Sequence, residues 1–383
     1  MTYPRIAIIG AGPAGLTLAR TLHLAGMAST VFEREAGPLV RPQGGTLDLH
    51  EGSGLLALER ARLLEPFQRI ARYDDQGSRL LDRAGQVLFE SADASSGNRP
   101  EVDRTALRSM LLDALPAGCV RWCSELVQVA DAGQGTWKLV LADGDDGEAG
   151  PFDLVVGADG AWSRVRPLLS AYQPQYSGLT FIEFGIDDID ARHPALSRLV
   201  GRGKLQVCGG GKEIIAQRNG NAHVRGYAIF RVPTDWAHKR FDFALPAAVR
   251  EGLLAEFADH AEGITDLFRA SNDHFVARHI HALPVGHRWQ HRQGLTLLGD
   301  AAHLMSPFGG EGVNAAMLDA SDLAMRLIEQ LGLARAVKDY EQHMFERVVQ
   351  AAAGSAEAAA TELSHDSLAL TLGHMRMHEA QAA

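Results

Sequence analysis

Apolar residues recur along the chain in three different rhythms, and each predicts a different kind of element. Residues 6–9, 154–157 and 295–298 are continuous apolar runs closed by glycine, the pattern of short strands buried on both faces of a parallel sheet. Residues 224–232 alternate instead, among scattered glycine clusters, which predicts an antiparallel sheet across residues 176–284. After Gly312 the apolar positions Val313, Ala316, Met317, Ala320, Leu323, Leu327, Ile328 and Leu331 follow a helical period up to Gly332.

The first apolar run continues into a short helix, 14–24, and a second strand, 29–33. Strand, glycine turn, helix and strand within about thirty residues make one βαβ unit. The later runs at 154–157 and 295–298 extend that sheet from far along the chain. The expected fold class is therefore α/β: a Rossmann-like nucleotide domain (1–175 and 285–332) interleaved with an antiparallel-sheet domain (176–284), followed by a C-terminal helical segment (333–383). Residues 143–150 (DGDDGEAG) read as a solvated hairpin or loop, and Gly209-Gly210-Gly211 as a hairpin or bulge.

Composition changes this picture little but excludes several functions. The chain has 383 residues with 46% hydrophobic and 22% charged, ordinary globular usage, while 40 glycines exceed the usual share of roughly 7%. A net charge of −10 without like-charge runs disfavours a nucleic-acid groove. Three cysteines without CxxC spacing argue against a disulfide framework or a cysteine zinc site, and fit a reducing cytoplasm. No apolar run reaches the ~18 residues of a membrane span, and the N-terminus does not read as a signal peptide. Sixteen histidines, crowded at His274, His279, His281, His287 and His291, lack the spacing and partners of a metal site, so no metal is expected.

The chemistry sits at the ends of the apolar runs. GAGPAG (Gly10, Gly12, Ala14, Gly15) follows the first strand and opens the first helix. Its glycines allow a tight turn, close approach of backbone N–H groups to a pyrophosphate, and helix–strand packing. Glu33, eighteen residues after Gly15, supplies a carboxylate for an adenosine ribose and disfavours a 2′-phosphate, so FAD or NAD is expected over NADP as the tightly held nucleotide. Asp300 at the end of the third run can bind a ribityl hydroxyl, and 307-PFGGEGVN-314 puts a glycine-rich helix start where a flavin pyrimidine could lie. Both tasks belong to a flavin.

GAGPAG with Glu33-Arg34, 153-DLVVGADGAWSRVR-166 and 299-GDAAHLMSPFGGEGVN-314 together resemble the three fingerprints of the class A flavin monooxygenases, the p-hydroxybenzoate hydroxylase-like fold. Within that class, 44-GGTLDLHEGSG-54 and 100-PEVDRTALRSMLL-112 look most similar to the Tet(X) tetracycline monooxygenases, a group concerned with antibiotic resistance. The resemblance implies that Glu33 and Arg34 hold the adenosine side of FAD. Arg104 and Asp300 would bind its central part, with Asp48 nearby; Pro307, Gly310, Gly312 and Val313 would line the isoalloxazine, and Arg41 would meet NADPH.

The same resemblance implies a substrate site at Glu183, Lys212, Ile214, Arg225, Tyr227 and Phe308. The family as aligned has glutamine, arginine, methionine, histidine and glycine at the first five of these, so the pocket chemistry differs. A lysine cannot reproduce a bidentate guanidinium contact, and a tyrosine in place of glycine fills space. The implied activity is hydroxylation of an electron-rich aromatic or polycyclic substrate, the tetracycline type among them, by O2, with FAD reduced by NADPH or NADH, through a flavin C4a-hydroperoxide. The chain would act as a cytoplasmic monomer on small molecules, without nucleic-acid or membrane partners. The cofactor carries the hard chemistry, so no triad is expected and no catalytic side chain is singled out. A flavoprotein reductase or oxidase on the same fold, and a non-catalytic FAD-binding redox sensor, are the alternatives.

Overall fold

The computed structural model describes residues 3–40, 44–91, 99–142, 147–329, 332–364 and 366–382. The three continuous apolar runs lie side by side in one sheet. Its strand order is Leu295–Leu297, Leu154–Gly157, Ile6–Ile9, Ser29–Phe32 and Val120–Arg121, and neighbours run parallel. Ile6 to Ile9 are all buried, with Ile6 opposite both Leu154 and Ser29, so both faces demand apolar side chains and no alternation survives.

Helix Pro13–Leu24 connects the first two strands and buries Leu16, Leu18, Ala19 and Leu22. Proline at its first position suits a helix start, where the missing N–H would have no intrahelical partner. A Cβ on Gly15 would stand 2.2 Å from the Gly10 carbonyl oxygen, so helix and turn pack this closely only with glycine there. Helix Glu311–Ile328 follows the last parallel strand, with Met317, Ala320, Leu323, Ala324 and Leu327 on its buried stripe. An antiparallel meander, Leu126–Gly133, Thr136–Leu141 and Glu148–Phe152, forms another sheet of this unit. Residues 143–146 of the acidic stretch lie outside the described residues; its last residues enter the meander's third strand. This first unit comprises Met1–Ile70, Arg104–Gln175 and His281–Ala356.

The second unit comprises Ala71–Asp103, Tyr176–Ile280 and Glu357–Ala383. The expected boundaries are corrected here in two places. Residues 71–103, expected in the nucleotide domain, belong to the second unit because strand Gly77–Asp82 pairs in parallel with Gly203–Gly209, a partner more than a hundred residues away. The last residues, expected as a separate helical segment, divide: Leu333–Thr361 begins in the first unit, and the chain from Glu357 belongs to the second. There Arg231 donates to the carbonyls of Ala359 (2.6 Å), Ala360 (3.3 Å) and Glu362 (2.8 Å), capping the end of the long helix.

The expected antiparallel sheet is present and larger than its alternation suggests. Seven strands run in the order Val276–Ala282, Gln175–Ile186, Val224–Arg231, Lys212–Arg218, Gly203–Gly209, Gly77–Asp82 and Val87–Ser91. One face carries Ile182, Phe184, Val224, Ala228, Ile214, Ala216, Leu205 and Val207. Helices Pro194–Val200, Pro246–Glu256 and Glu262–Arg269 cover it with Leu196, Leu253, Leu267 and Phe268, forming one core. Those helices lie in the stretch read as sheet alone. No described helix is long and apolar enough to cross a membrane.

Candidate active site

The first unit gathers its polar groups around the open ends of the parallel strands. Gly10 has φ +106°, and a Cβ there would meet the Ala158 carbonyl oxygen at 2.5 Å, which brings the GAGPAG turn against the 158–160 turn. At Gly12 the space a Cβ would occupy is empty for 4 Å, so the turn's backbone is open to a ligand. Glu33 is buried, and its two oxygens accept hydrogen bonds from the N–H groups of Ala11 (2.7 Å) and Glu35 (3.0 Å). A carboxylate has about four acceptor sites, so two remain for a ribose. Arg108, which sequence reasoning missed, holds this corner. It donates to Glu35 (2.8 Å) and to the Ala11 carbonyl (3.0 Å) and lies 3.9 Å from Glu33. Its only signal is its place four residues after Arg104, on the same helix face. Arg34 and Arg104 are exposed, and the Arg104 N–H donates to Gly45 at 3.2 Å. Arg41 lies outside the described residues.

Asp159 is half-buried; its Oδ2 accepts from the Arg164 N–H at 2.7 Å, while Oδ1, itself shielded from solvent, has no hydrogen-bond partner among the described residues. Burial pushes its carboxyl above the ordinary value. Asp300 opens a short helix, Asp300–His303, with its carboxylate exposed.

Asn314, quoted in the glycine-rich motif but given no role, joins that motif to the 48–54 loop. Its oxygen accepts from the N–H groups of His50 (2.9 Å) and Gly54 (3.3 Å), and its amide donates to the carbonyls of Asp48 (2.9 Å) and Gly310 (3.1 Å). Asp48 bonds His50 at 3.0 Å, and a Cβ on Gly310 would lie 2.7 Å from its carboxylate. Gly312 faces open space, Pro307 is exposed, and Val313 and Phe308 are half-buried; Ser355 donates to the Phe308 carbonyl at 3.0 Å. FAD fits these residues on three counts: open backbone at Gly12 and Gly312, an unmatched buried oxygen on Asp159, and an exposed carboxylate at Asp300, all in the same unit.

In the second unit, strand register sorts the expected substrate residues. Glu183 lies opposite Tyr227, and Gly185 opposite Arg225, so Glu183, Arg225 and Tyr227 share one face of the sheet. Arg225 donates to Glu183 at 2.5 Å, Arg278 donates to its other oxygen at 3.1 Å, and Tyr227 packs against Phe181 with ring centroids 5.8 Å apart. Lys212 and Ile214 take the opposite face. Ile214 is fully buried in the helix-covered core, and Lys212 donates to the Glu256 carbonyl and lies over the Phe257 ring. The structure therefore does not bring them to the Glu183 face; Glu213 and Ile215, one residue along, are on it. Arg278, which joins this cluster, carries no signal in the sequence beyond its strand.

The crowded histidines bond locally: His279 to Thr180 (3.0 Å), His287 to the Ala302 carbonyl (2.6 Å) and His291 to Glu341 (2.8 Å). Among the described residues no three potential ligands converge as they would around a metal ion.

Comparison with known proteins gives the family and the fold. Residues 4–352 match the family model described as FAD binding domain. The monooxygenase penA of Penicillium thymicola is 36% identical over 377 residues, covering 86% of each chain. The 3-amino-4-hydroxybenzoate 2-monooxygenase PtmB3 of Streptomyces platensis is 30% identical over 90% of this chain and 85% of its own. Among solved structures, HpxO of Klebsiella pneumoniae complexed with FAD and uric acid superposes with a TM-score of 0.80 at 20% identity, covering 99% of this chain and 93% of that one. The tetracycline destructase Tet(51) does so with 0.70 at 22%, covering 99% and 96%. At these identities the two structures establish the fold. Family match, relatives and fold together identify the chain as a member of the FAD-binding-domain family and an FAD-dependent monooxygenase of the class A fold.

Proposed function

We propose that the substrate is an electron-rich aromatic or polycyclic small molecule, with the tetracycline type as one candidate, bound on the sheet face that carries Glu183, Arg225 and Tyr227. The supporting observation is that face itself. It joins an aromatic pair, Phe181 and Tyr227, to a guanidinium held in place by a buried carboxylate, so it can stack a ring and orient its polar substituents. Among the relatives, the 3-amino-4-hydroxybenzoate 2-monooxygenase PtmB3 is named for an aromatic substrate.

Bound FAD, reduced by NADPH or NADH, supplies the electrons with which O2 delivers one oxygen atom to the substrate and the other to water. The chain's own residues bind and orient. The turns at Gly10 and Gly12, the Glu33 carboxylate and Arg34 hold the adenosine side, and Arg104 and Asp300 the central part with its ribityl chain. Pro307, Phe308, Gly310, Gly312 and Val313, with Asp48 beneath Gly310, shape the wall that keeps water from the ring. Arg41 is proposed to meet the nicotinamide phosphate. We read the protein as a cytoplasmic monomer with no nucleic-acid or membrane partner, in keeping with a net charge of −10.

The test is a panel of phenols, aminobenzoates, quinolines and tetracyclines read by ligand-stimulated NADPH oxidation under ¹⁸O2. A product gaining one labelled oxygen is the expected result. Stimulated oxidation with no label in any product would mark a reductase or oxidase and overturn the hydroxylation reading.

A further inference from the structure

The turn that carries Asp300 is held by buried side chains at both ends, through the Gly299 N–H and His303 Nε2, and at two carbonyls between them. The Gly299 N–H donates to Asp319 Oδ2 at 2.9 Å, and His303 Nε2 meets the same oxygen at 2.6 Å. Arg166 donates to the Ala301 carbonyl at 3.1 Å. His287 Nδ1 donates to the Ala302 carbonyl at 2.6 Å, because a carbonyl only accepts; the opposite ring nitrogen meets Ser170 Oγ at 2.8 Å. Arg166, His287 and His303 are almost wholly buried, and Asp319 completely. Asp300 itself is exposed, with no hydrogen-bond partner among the described residues.

Burying this many charged and polar groups beneath a four-residue helix is costly unless each is matched. Asp319 is matched on both oxygens. Arg347 donates to Oδ1 at 2.5 Å and also to Asp322, to which Arg60 donates at 2.9 Å. The resulting chain runs from Arg60 through Asp322, Arg347 and Asp319 to His303. Despite burial, the facing Asp319 carboxylate raises the His303 imidazole above its ordinary value, and its cations hold the Asp319 carboxyl low. The other charged or titratable groups around His303 are Asp300, Arg347, Arg166 and His287.

We infer that Asp319, with His303, is a positioning residue for the cofactor: by clamping both ends of the Gly299–His303 turn, it fixes the Asp300 carboxylate in the orientation that binds FAD. This rests on the assignment of Asp300 to FAD. Asp319 touches no cofactor itself; it removes conformations that Asp300 would otherwise have to give up on binding.

The experiment measures FAD release from the full-length holoenzyme by recovery of flavin fluorescence, in Asp300→Ala, Asp319→Asn, Asp322→Asn and His303→Gln. Asp319→Asn should release FAD about tenfold faster or more, the consequence of a lost charged hydrogen bond. Asp322→Asn, which keeps the turn's clamp and disturbs the same Arg347, should stay within about twofold of wild type. Wild-type release should quicken as pH rises through the raised His303 value. His303→Gln keeps a donor to Asp319 but cannot titrate, and should abolish that step.

Accelerated release in Asp300→Ala with an unchanged rate in Asp319→Asn would overturn the inference alone. Unchanged release in Asp300→Ala would overturn the Asp300 assignment and the inference with it. Equal losses in Asp319→Asn and Asp322→Asn would reduce Asp319 to a structural ion pair, and so overturn its positioning role. Should Asp319→Asn fail to fold, the pH step and its loss in His303→Gln decide: a step persisting in His303→Gln overturns the inference.

Discussion

The two units place their chemistry by different means. In the parallel-sheet unit the groups assigned to FAD sit in turns at strand ends, where closeness of backbone to backbone is the constraint: Gly15 against Gly10, and Gly10 against Ala158. In the mixed-sheet unit the candidate substrate groups sit in mid-strand, where alternation is the constraint and a shift of one residue moves a side chain to the other face. A turn tolerates little change at its glycines. A strand face tolerates many residue types, but only in the right parity.

The largest effect that can break this contrast is expected at Gly15. Gly15→Ala puts a methyl 2.2 Å from a backbone oxygen that cannot step aside. It should cost about 3 kcal/mol, read as a lower melting temperature together with loss of bound flavin. Unchanged flavin content would show that helix and turn do not need this approach.

The next effect concerns the sheet face. Glu213 is completely buried, and burial first, then the facing carboxyl of Glu362, raises its carboxyl well above the ordinary value. With a raised folded-state value, its contribution is complete below the unfolded carboxylate range and disappears as pH rises through the folded value. Wild-type melting temperature should therefore fall on the alkaline side by several degrees more than that of Glu213→Gln, whose amide cannot ionise. Parallel pH profiles for the two proteins would refute this.

A smaller effect separates the two faces of one strand pair. Arg225→Ala should raise KM for a productive substrate about tenfold with flavin content unchanged, since it removes a charged contact on the proposed substrate face. Smallest of all, Lys212→Ala should leave KM within about twofold, because its ammonium serves a helix carbonyl and Asp259 on the opposite face. If Lys212→Ala shifts KM as strongly as Arg225→Ala, the parity argument fails.

Most of the cofactor half could be read from residues. GAGPAG, Glu33 and Asp300 occur where glycine spacing and apolar runs place strand ends, and the structure sets them in one unit. The supports of those groups could not be read so. Arg108, Asp319 and His303 are buried charges whose partners lie far away in sequence, 73 residues separating Arg108 from Glu35. A lone arginine or aspartate on a helix looks the same whether it faces water or a partner. The expected substrate residues divide for a related reason: Lys212 and Ile214 alternate along one strand with Glu213 and Ile215, and only its pairing with Val224–Arg231 shows which face each takes.

By itself, then, the sequence determined the class of fold, the parallel strands, the dinucleotide turn and the flavin, because those depend on local backbone geometry and on whether a strand is buried on one face or two. Tertiary structure alone decided that residues 71–103 join the second unit, that Arg278 meets Glu183, and that Asp319 clamps the Asp300 turn. Each of these depends on which distant segment supplies the partner for a buried polar group. Pairing across the chain answers that question, and no local pattern encodes it.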